Sequence, residues 1–424
     1  MILKPKLALI KNRFLEIWKL SVIFRYAVLI HIFYFILSIF LFFEFYYEKN
    51  DYIVFYKAGG IFFNDINDLY NQENYLWDFR YLPLAAVIFI PFYLLGYDLG
   101  FIIFHFFNLF LNILICIVLY KIIILIRGED HEKDDKRAIL YISFYLMGLP
   151  HVFNYVLGQI NLYVVFLILL SLLIFLKYDD LKWQLIGSLI LGISLMIKPI
   201  MLFIIPFLIL IKYDFKNKKL DFNLHKSIIR IFGVLLPLLL NIIVFLRHPK
   251  LWEGFLTTNF TGTNPVHLNF SFSVTKLIIN FCYCFNIKFN QLVIFIAVAS
   301  FMGSLGFVIY IFRKYTQNSI VIGVVFSILI MLLAYFDAWD HHLLILTPIL
   351  IVTIFFLPRN SEITQRYIKP SFFFLSFFDL AFTGIWILTH MIFPFNFAST
   401  IFLILAFIGV SKFCLNKESS DIQG

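Results

Sequence analysis

The chain has 424 residues, is 62% hydrophobic and only 14% charged, and carries a formal charge of +9. Soluble domains are nearer half apolar and a quarter charged, so this composition excludes a cytoplasmic enzyme, a disordered protein and a nucleic-acid-binding domain. In so apolar a chain the basic excess marks cytoplasmic loops, not a polyanion partner. The 56 Phe and 23 Tyr carry no functional weight. Cys116, Cys282, Cys284 and Cys414 are too few and too scattered for a disulfide framework or a zinc site, and Cys282 and Cys284 lie too close in sequence for good disulfide geometry.

In chain order, residues 1–21 read as a basic, amphipathic cytoplasmic N-terminus with no small-residue cleavage site. A spanning helix needs roughly 20 apolar residues. Spans are expected at 22–46, 100–126, 138–157, 160–176, 228–246, 291–312, 320–336, 341–357, 371–392 and 397–413. Segment 81–97 is short and holds Pro83 and Pro91, so it reads as a juxtamembrane surface helix within a first outer loop, 47–99. Segment 184–211 is broken at Lys198-Pro199. Proline lacks an N–H and disfavours a helical residue before it, so two short helices are expected to meet there and hold Lys198 inside the outer leaflet. A second outer loop covers 247–290, and 412–424 form a cytoplasmic tail. The whole is one integral-membrane domain, 1–424, of the all-α polytopic class with about 12 transmembrane helices. Both termini then lie inside, together with most of the 34 Lys and Arg.

Polar residues gather at the outer ends of the spans. Asp51 follows the first span, and Gly59-Gly60 with the run to Tyr70 reads as a helix lying flat on the membrane. A carboxylate held at the water–lipid boundary suits a general base that takes a proton from a sugar hydroxyl; the plainer reading is a solvated loop acid. Lys198 reads either as a phosphate-binding cation or as a snorkelling lysine. Arg80 is a second phosphate candidate, or a partner of Asp78. His341 and His342 open a span, where each either bonds a ligand or bonds backbone carbonyls. Gln159 and Asn161 either bind sugar hydroxyls or cap the helix that starts at 160. Asp337 and Asp340, which flank Trp339, read as loop acids or as groups that orient an acceptor. Asp379 is mid-span, where an aspartate costs on the order of 3 kcal/mol. It reads as a structural acid, with His105, Asn108 and Asn112 as its expected partners. The sequons Asn259-Phe-Thr261 and Asn269-Phe-Ser271 fall in the second outer loop.

An ordered set of short motifs carries a resemblance. Asp51, Tyr56, Ala58 and Gly59, then Leu69-Tyr70, Phe79-Arg80-Tyr81-x-Pro83, Gly158-Gln159-x-Asn161, Lys198-Pro199 and Trp339-x-His341-His342 resemble glycosyltransferase family 87 over residues 45–360. The resemblance implies a C-type glycosyltransferase architecture with juxtamembrane helices in the first outer loop. It also implies a hexosyltransferase that moves mannose from a polyprenyl or dolichyl monophosphate to a lipid-linked or glycan acceptor, with inversion. Asp51 is then the catalytic base. Lys198, Arg80, His341 and His342 hold the donor phosphate, and Tyr56, Lys57, Gln159, Asn161, Trp339 and Asp340 hold sugar or acceptor. No cofactor or metal is required. The partners are the donor, the acceptor and membrane lipids, with no nucleic acid, and the oligomeric state is open. The site belongs on the extracytoplasmic face of the cell membrane. The competing reading is a polytopic transporter or flippase of lipid-linked glycans, which the large first outer loop and the lack of an inverted repeat disfavour.

Overall fold

A computed structural model describes residues 14–128, 131–261, 271–314, 318–359, 361–379, 384 and 397–416. The N-terminal reading therefore rests on helical residues 14–20 alone, with 1–13 outside the described residues, as are most of 380–392, Asn269 and 417–424. Apart from one small hairpin the described chain is helical, and the protein is an all-α polytopic membrane protein.

Among the described residues, five helices are long and apolar enough to cross a bilayer: α1 (Val22–Glu44), α3 (Tyr97–Arg127), α8 (Leu224–Arg247), α11 (Gln291–Ile311) and α14 (Ala398–Leu415). A sixth crossing forms if α4 (His131–Met147) and α5 (Pro150–Val156), bent by 43° at their junction, count as one. Pro150 opens α5, where its missing N–H costs no helical bond. The remaining apolar helices are shorter: α6 (Asn161–Lys177), α7 (Leu181–Ile197), α12 (Ser319–Ala334) and α13 (Leu343–Phe356). Every residue of α13, and nearly every residue of α12, is buried. A helix apolar all round fits the centre of a bundle, and the long helices surround it with exposed apolar faces such as Phe33, Ile36 and Phe40 on α1.

Two expectations change in detail. The run after Asp51 is not one helix to Tyr70. It is a packed helix α2 (Asp51–Asn64) that buries Tyr52, Ile53, Val54, Phe55, Ala58, Gly59 and Gly60, and Asp65 and a 3-10 turn end it. Segment 81–97 is not one surface helix either. It is a 3-10 turn at Pro83–Phe89, a short helix at Ile90–Leu94 and the start of α3. The two pieces pack together through Gly59 and Gly60, where an added Cβ would lie 2.7 Å from the Phe89 carbonyl carbon and 2.4 Å from the Tyr93 ring. The glycines are there for close approach.

The break at Lys198-Pro199 forms as expected, but the second half is a 3-10 helix, Pro199–Leu208, that leads into a hairpin, β1 (Ile211–Asp214) with β2 (Lys219–Phe222). Asp214 accepts from Lys216 N (2.9 Å) and closes the hairpin turn. The loop at 247–290 holds α9 (Pro249–Leu256) and α10 (Val274–Cys284). Asn259 of the first sequon donates to the Phe255 carbonyl (3.0 Å). At the chain's end α14 runs to Leu415, so the tail begins later than 412.

Inside the bundle, a neutral polar network ties α1, α3, α4 and α5. His31 donates from Nδ1 to the Leu146 carbonyl (3.0 Å) and so accepts at Nε2 from the Tyr155 hydroxyl (2.9 Å). Asn112 donates to the same hydroxyl (2.8 Å) and accepts from the Tyr145 hydroxyl (3.0 Å). His105 donates to the Tyr155 carbonyl (2.7 Å). Asp379 is therefore not the partner of His105 or Asn112, and no bond to Asn108 appears among the described residues. Ser399 and the Asp340 carboxyl bond Asp379 instead.

Candidate active site

Asp51 is the first residue of α2. Its neighbour Asn50 caps the helix, accepting from Ile53 N (3.1 Å) and donating to the Tyr46 carbonyl (2.7 Å). The helix N-terminus favours a negative group there. The Gln159 side-chain amide donates to Asp51 from a turn 108 residues away. Gly158 makes that turn possible. Its φ is +66°, and a Cβ would lie 2.5 Å from the Tyr52 Cβ. Burial pushes the Asp51 carboxyl up to about 6, against the opposing pull of Gln159, Lys198 and Arg80.

Lys198 is the C-cap of α7 and is 3% exposed. Its ammonium does not snorkel. It donates to the Asn161 side-chain oxygen, while the Asn161 amide donates to the His341 carbonyl (3.1 Å). Asn161 is the first residue of α6, and the N-cap position, Ile160, makes no side-chain cap bond. Capping is thus excluded for Asn161, which instead links the Lys198 break to the loop before α13. The His341 and His342 rings lie with centroids 4.3 Å apart, tilted by 52°. His342 Nδ1 accepts from Trp339 N (3.0 Å), so a neutral imidazole there carries its proton on Nε2.

Arg80 pairs with Asp337 across 257 residues, not with nearby Asp78 as the local reading held. Burial works against the cation, but Asp337 and Tyr335 outweigh it and hold Arg80 above its ordinary value. Asp340 turns the other way, to Asp379. Two carboxyls that share a hydrogen bond must share a proton.

The structure therefore gathers Asp51, Gln159, Asn161, Lys198, Arg80, Asp337 and the 339–342 turn at one end of the bundle. It does not add Tyr56 or Lys57 to the cluster. The Tyr56 ring packs among Tyr93 and Tyr97, and exposed Lys57 donates to the Asn74 carbonyl (3.0 Å). Sequence reasoning missed Tyr335, which bonds Arg80, and Lys276, buried beside Asp337. A lone lysine in a long loop gives no signal in one sequence.

A membrane bundle that holds a half-buried acid at a helix start beside an amide and cations has the equipment of an integral-membrane transferase. The sequence profile of glycosyltransferase family 87 matches residues 79–345, and the chain belongs to that family. It is a membrane glycosyltransferase, with a sugar donor and an acceptor as substrates. The matched stretch holds Arg80, Gln159, Asn161, Lys198, Lys276 and the 337–342 turn; Asp51 precedes it and Asp379 follows it. No curated protein and no solved structure matches the chain.

Proposed function

We propose that the chain transfers a hexose, with mannose as the family default, from a polyprenyl or dolichyl monophosphate to a glycolipid or glycan acceptor. The site faces the extracytoplasmic side of the cell membrane, in a C-type architecture of about 12 spans with both termini inside. The observation that carries this reading is the placement of Asp51: a half-buried carboxyl of raised affinity for protons, bonded by Gln159, with Lys198 and Arg80 as its nearby cations.

In the step, an acceptor hydroxyl attacks the anomeric carbon while its proton passes to the Asp51 carboxylate. The bond from that carbon to the phosphate oxygen breaks, and its electron pair stays on the phosphate. Attack opposite the leaving group inverts the centre, so a β-linked donor gives an α-linked product. Lys198, Arg80 and the Nε2–H of His342 stabilise the charge that grows on the leaving phosphate. Gln159 supports substrate positioning. Its amide nitrogen is held by Asp51, and its buried Oε1 has no partner among the described residues, which suits a sugar hydroxyl donor. Asn161 bonds the turn that carries Trp339.

The test is transfer of labelled sugar from polyprenyl phosphate by purified protein in lipid nanodiscs. Asp51→Asn that folds normally and loses transfer supports the reading. Full transfer by that variant removes Asp51 as the base, and movement of labelled glycolipid across liposomes without transfer favours the transporter.

A further inference from the structure

The segment that opens α10 is stitched to the loop that carries the site. Phe272 N donates to the Ala338 carbonyl (3.0 Å), Ala338 N donates to the Ser271 hydroxyl (3.2 Å), and the Thr275 hydroxyl donates to the Ala334 carbonyl. Ser273 caps α10 by accepting from Lys276 N (3.1 Å). These bonds fix Lys276 in the first turn of α10, 3% exposed, on the side of Asp337.

Two observations show that this face is unfinished. The Lys276 ammonium makes no hydrogen bond or ion-pair contact among the described residues. One turn further on, the side-chain oxygen of Asn280, 5% exposed, is buried without a partner. A lysine held largely out of water whose ammonium bonds no protein group is costly, and it is tolerated where an anion completes it. Asp337 favours the Lys276 charge, but Arg80 already holds that carboxylate. Electrostatic neighbours then run in order: Lys198, Asp51, Arg80, Asp337, Lys276, a row of alternating sign that ends on a cation at each end.

We infer that Lys276 is a donor-phosphate contact, supplied by the 247–290 loop, for the reaction proposed above, on which this inference rests. The chemistry of the step explains why a third cation is needed. The donor phosphate is a diester with one negative charge, and the leaving lipid phosphate is a monoester approaching two. Asp51 loses its charge in the same step, as it takes the acceptor proton. The row therefore gains net positive charge as the phosphate gains negative charge. Without Lys276 the resting row would hold equal numbers of cations and anions and offer the incoming donor no excess charge.

The experiment measures binding of labelled polyprenyl phosphate to the full chain in nanodiscs, without acceptor, for wild type, Lys276→Gln, Lys276→Met and Lys276→Arg, with thermal stability recorded in parallel. Loss of a charge-assisted contact is expected to weaken binding about tenfold to a hundredfold in Lys276→Gln. Lys276→Met, which removes the cost of the buried charge, should bind as weakly while melting no lower than wild type, and Lys276→Arg should stay within about threefold. Wild-type affinity in the Gln or Met variant overturns the inference alone. Equal loss in the Arg variant assigns Lys276 to packing and also overturns it. No binding by wild type overturns it together with the lipid-phosphate reading.

Discussion

Two polar clusters lie buried in this protein, and they are built differently. The network around Tyr155 is neutral, and its named bonds are each satisfied by a donor and an acceptor with one consistent set of proton positions. The cluster around Asp51 is charged, and among the described residues it leaves the buried Gln159 Oε1 without a partner. A satisfied neutral network specifies how helices pack. A charged cluster with open valences is costly to fold around and is complete only with a ligand of matching charge. Charge, and not an unpaired atom alone, separates the two: Asn108, Asn154 and His151 near the neutral network also hold buried side-chain atoms without a partner among the described residues.

Substitutions can break or sharpen that contrast. The largest effect is expected for Asp51→Asn, which should lower transfer about 10²- to 10⁴-fold, the usual worth of a general base, with little change in melting temperature. In wild type the base must be ionised. Because burial lifts its pKa to about 6, kcat/KM should rise with pH through about 6 and level off above it, and that limb should vanish from the residual rate of Asp51→Asn. Arg80→Gln is next. It removes the ion pair to Asp337, and should cost about 1.5–3 kcal/mol in a denaturation assay. It also removes a cation that favours ionised Asp51, so the acid limb should move to higher pH. An unmoved limb would detach Arg80 from Asp51.

The neutral network should respond only in stability. Asn112→Leu leaves the Tyr145 and Tyr155 hydroxyls short of a partner and should cost about 1–2 kcal/mol, read as a lower melting temperature, with the donor KM unchanged. A raised donor KM would join the two clusters. The smallest effect is expected for Lys57→Gln. The lysine is exposed and bonds only the Asn74 carbonyl, so transfer should stay within about twofold of wild type. A larger loss would return Lys57 to the site.

Much of the candidate site was legible, for specific reasons. Asp51, Arg80, Gln159, Lys198 and His341 are polar residues at the ends of apolar runs, where such groups are rare enough to stand out. Their partners were not legible. Arg80 has an acid two residues away in sequence, yet its bond goes to Asp337. Asn161 reads as a cap but bridges Lys198 and the 339–342 turn. Asp379 shares helical spacing with no one, and its bonds to Ser399 and Asp340 depend on how the last helices return to the bundle.

By itself the sequence determined that this is a membrane protein, where most helices begin and end, and that Pro199 breaks one of them, because hydropathy and proline act locally along the chain. It could not determine which helices surround the bundle and which fill it, since α12 and α11 are both strongly apolar in composition. Nor could it pair charges across connections of a hundred residues or more. Those choices depend on packing, which brings the start of α2, the 158–161 turn, the Lys198 break and the 334–342 loop to one place. Only in that place do Asp51 and Gln159 share a hydrogen bond and Lys276 come to face a carboxylate that another cation already holds.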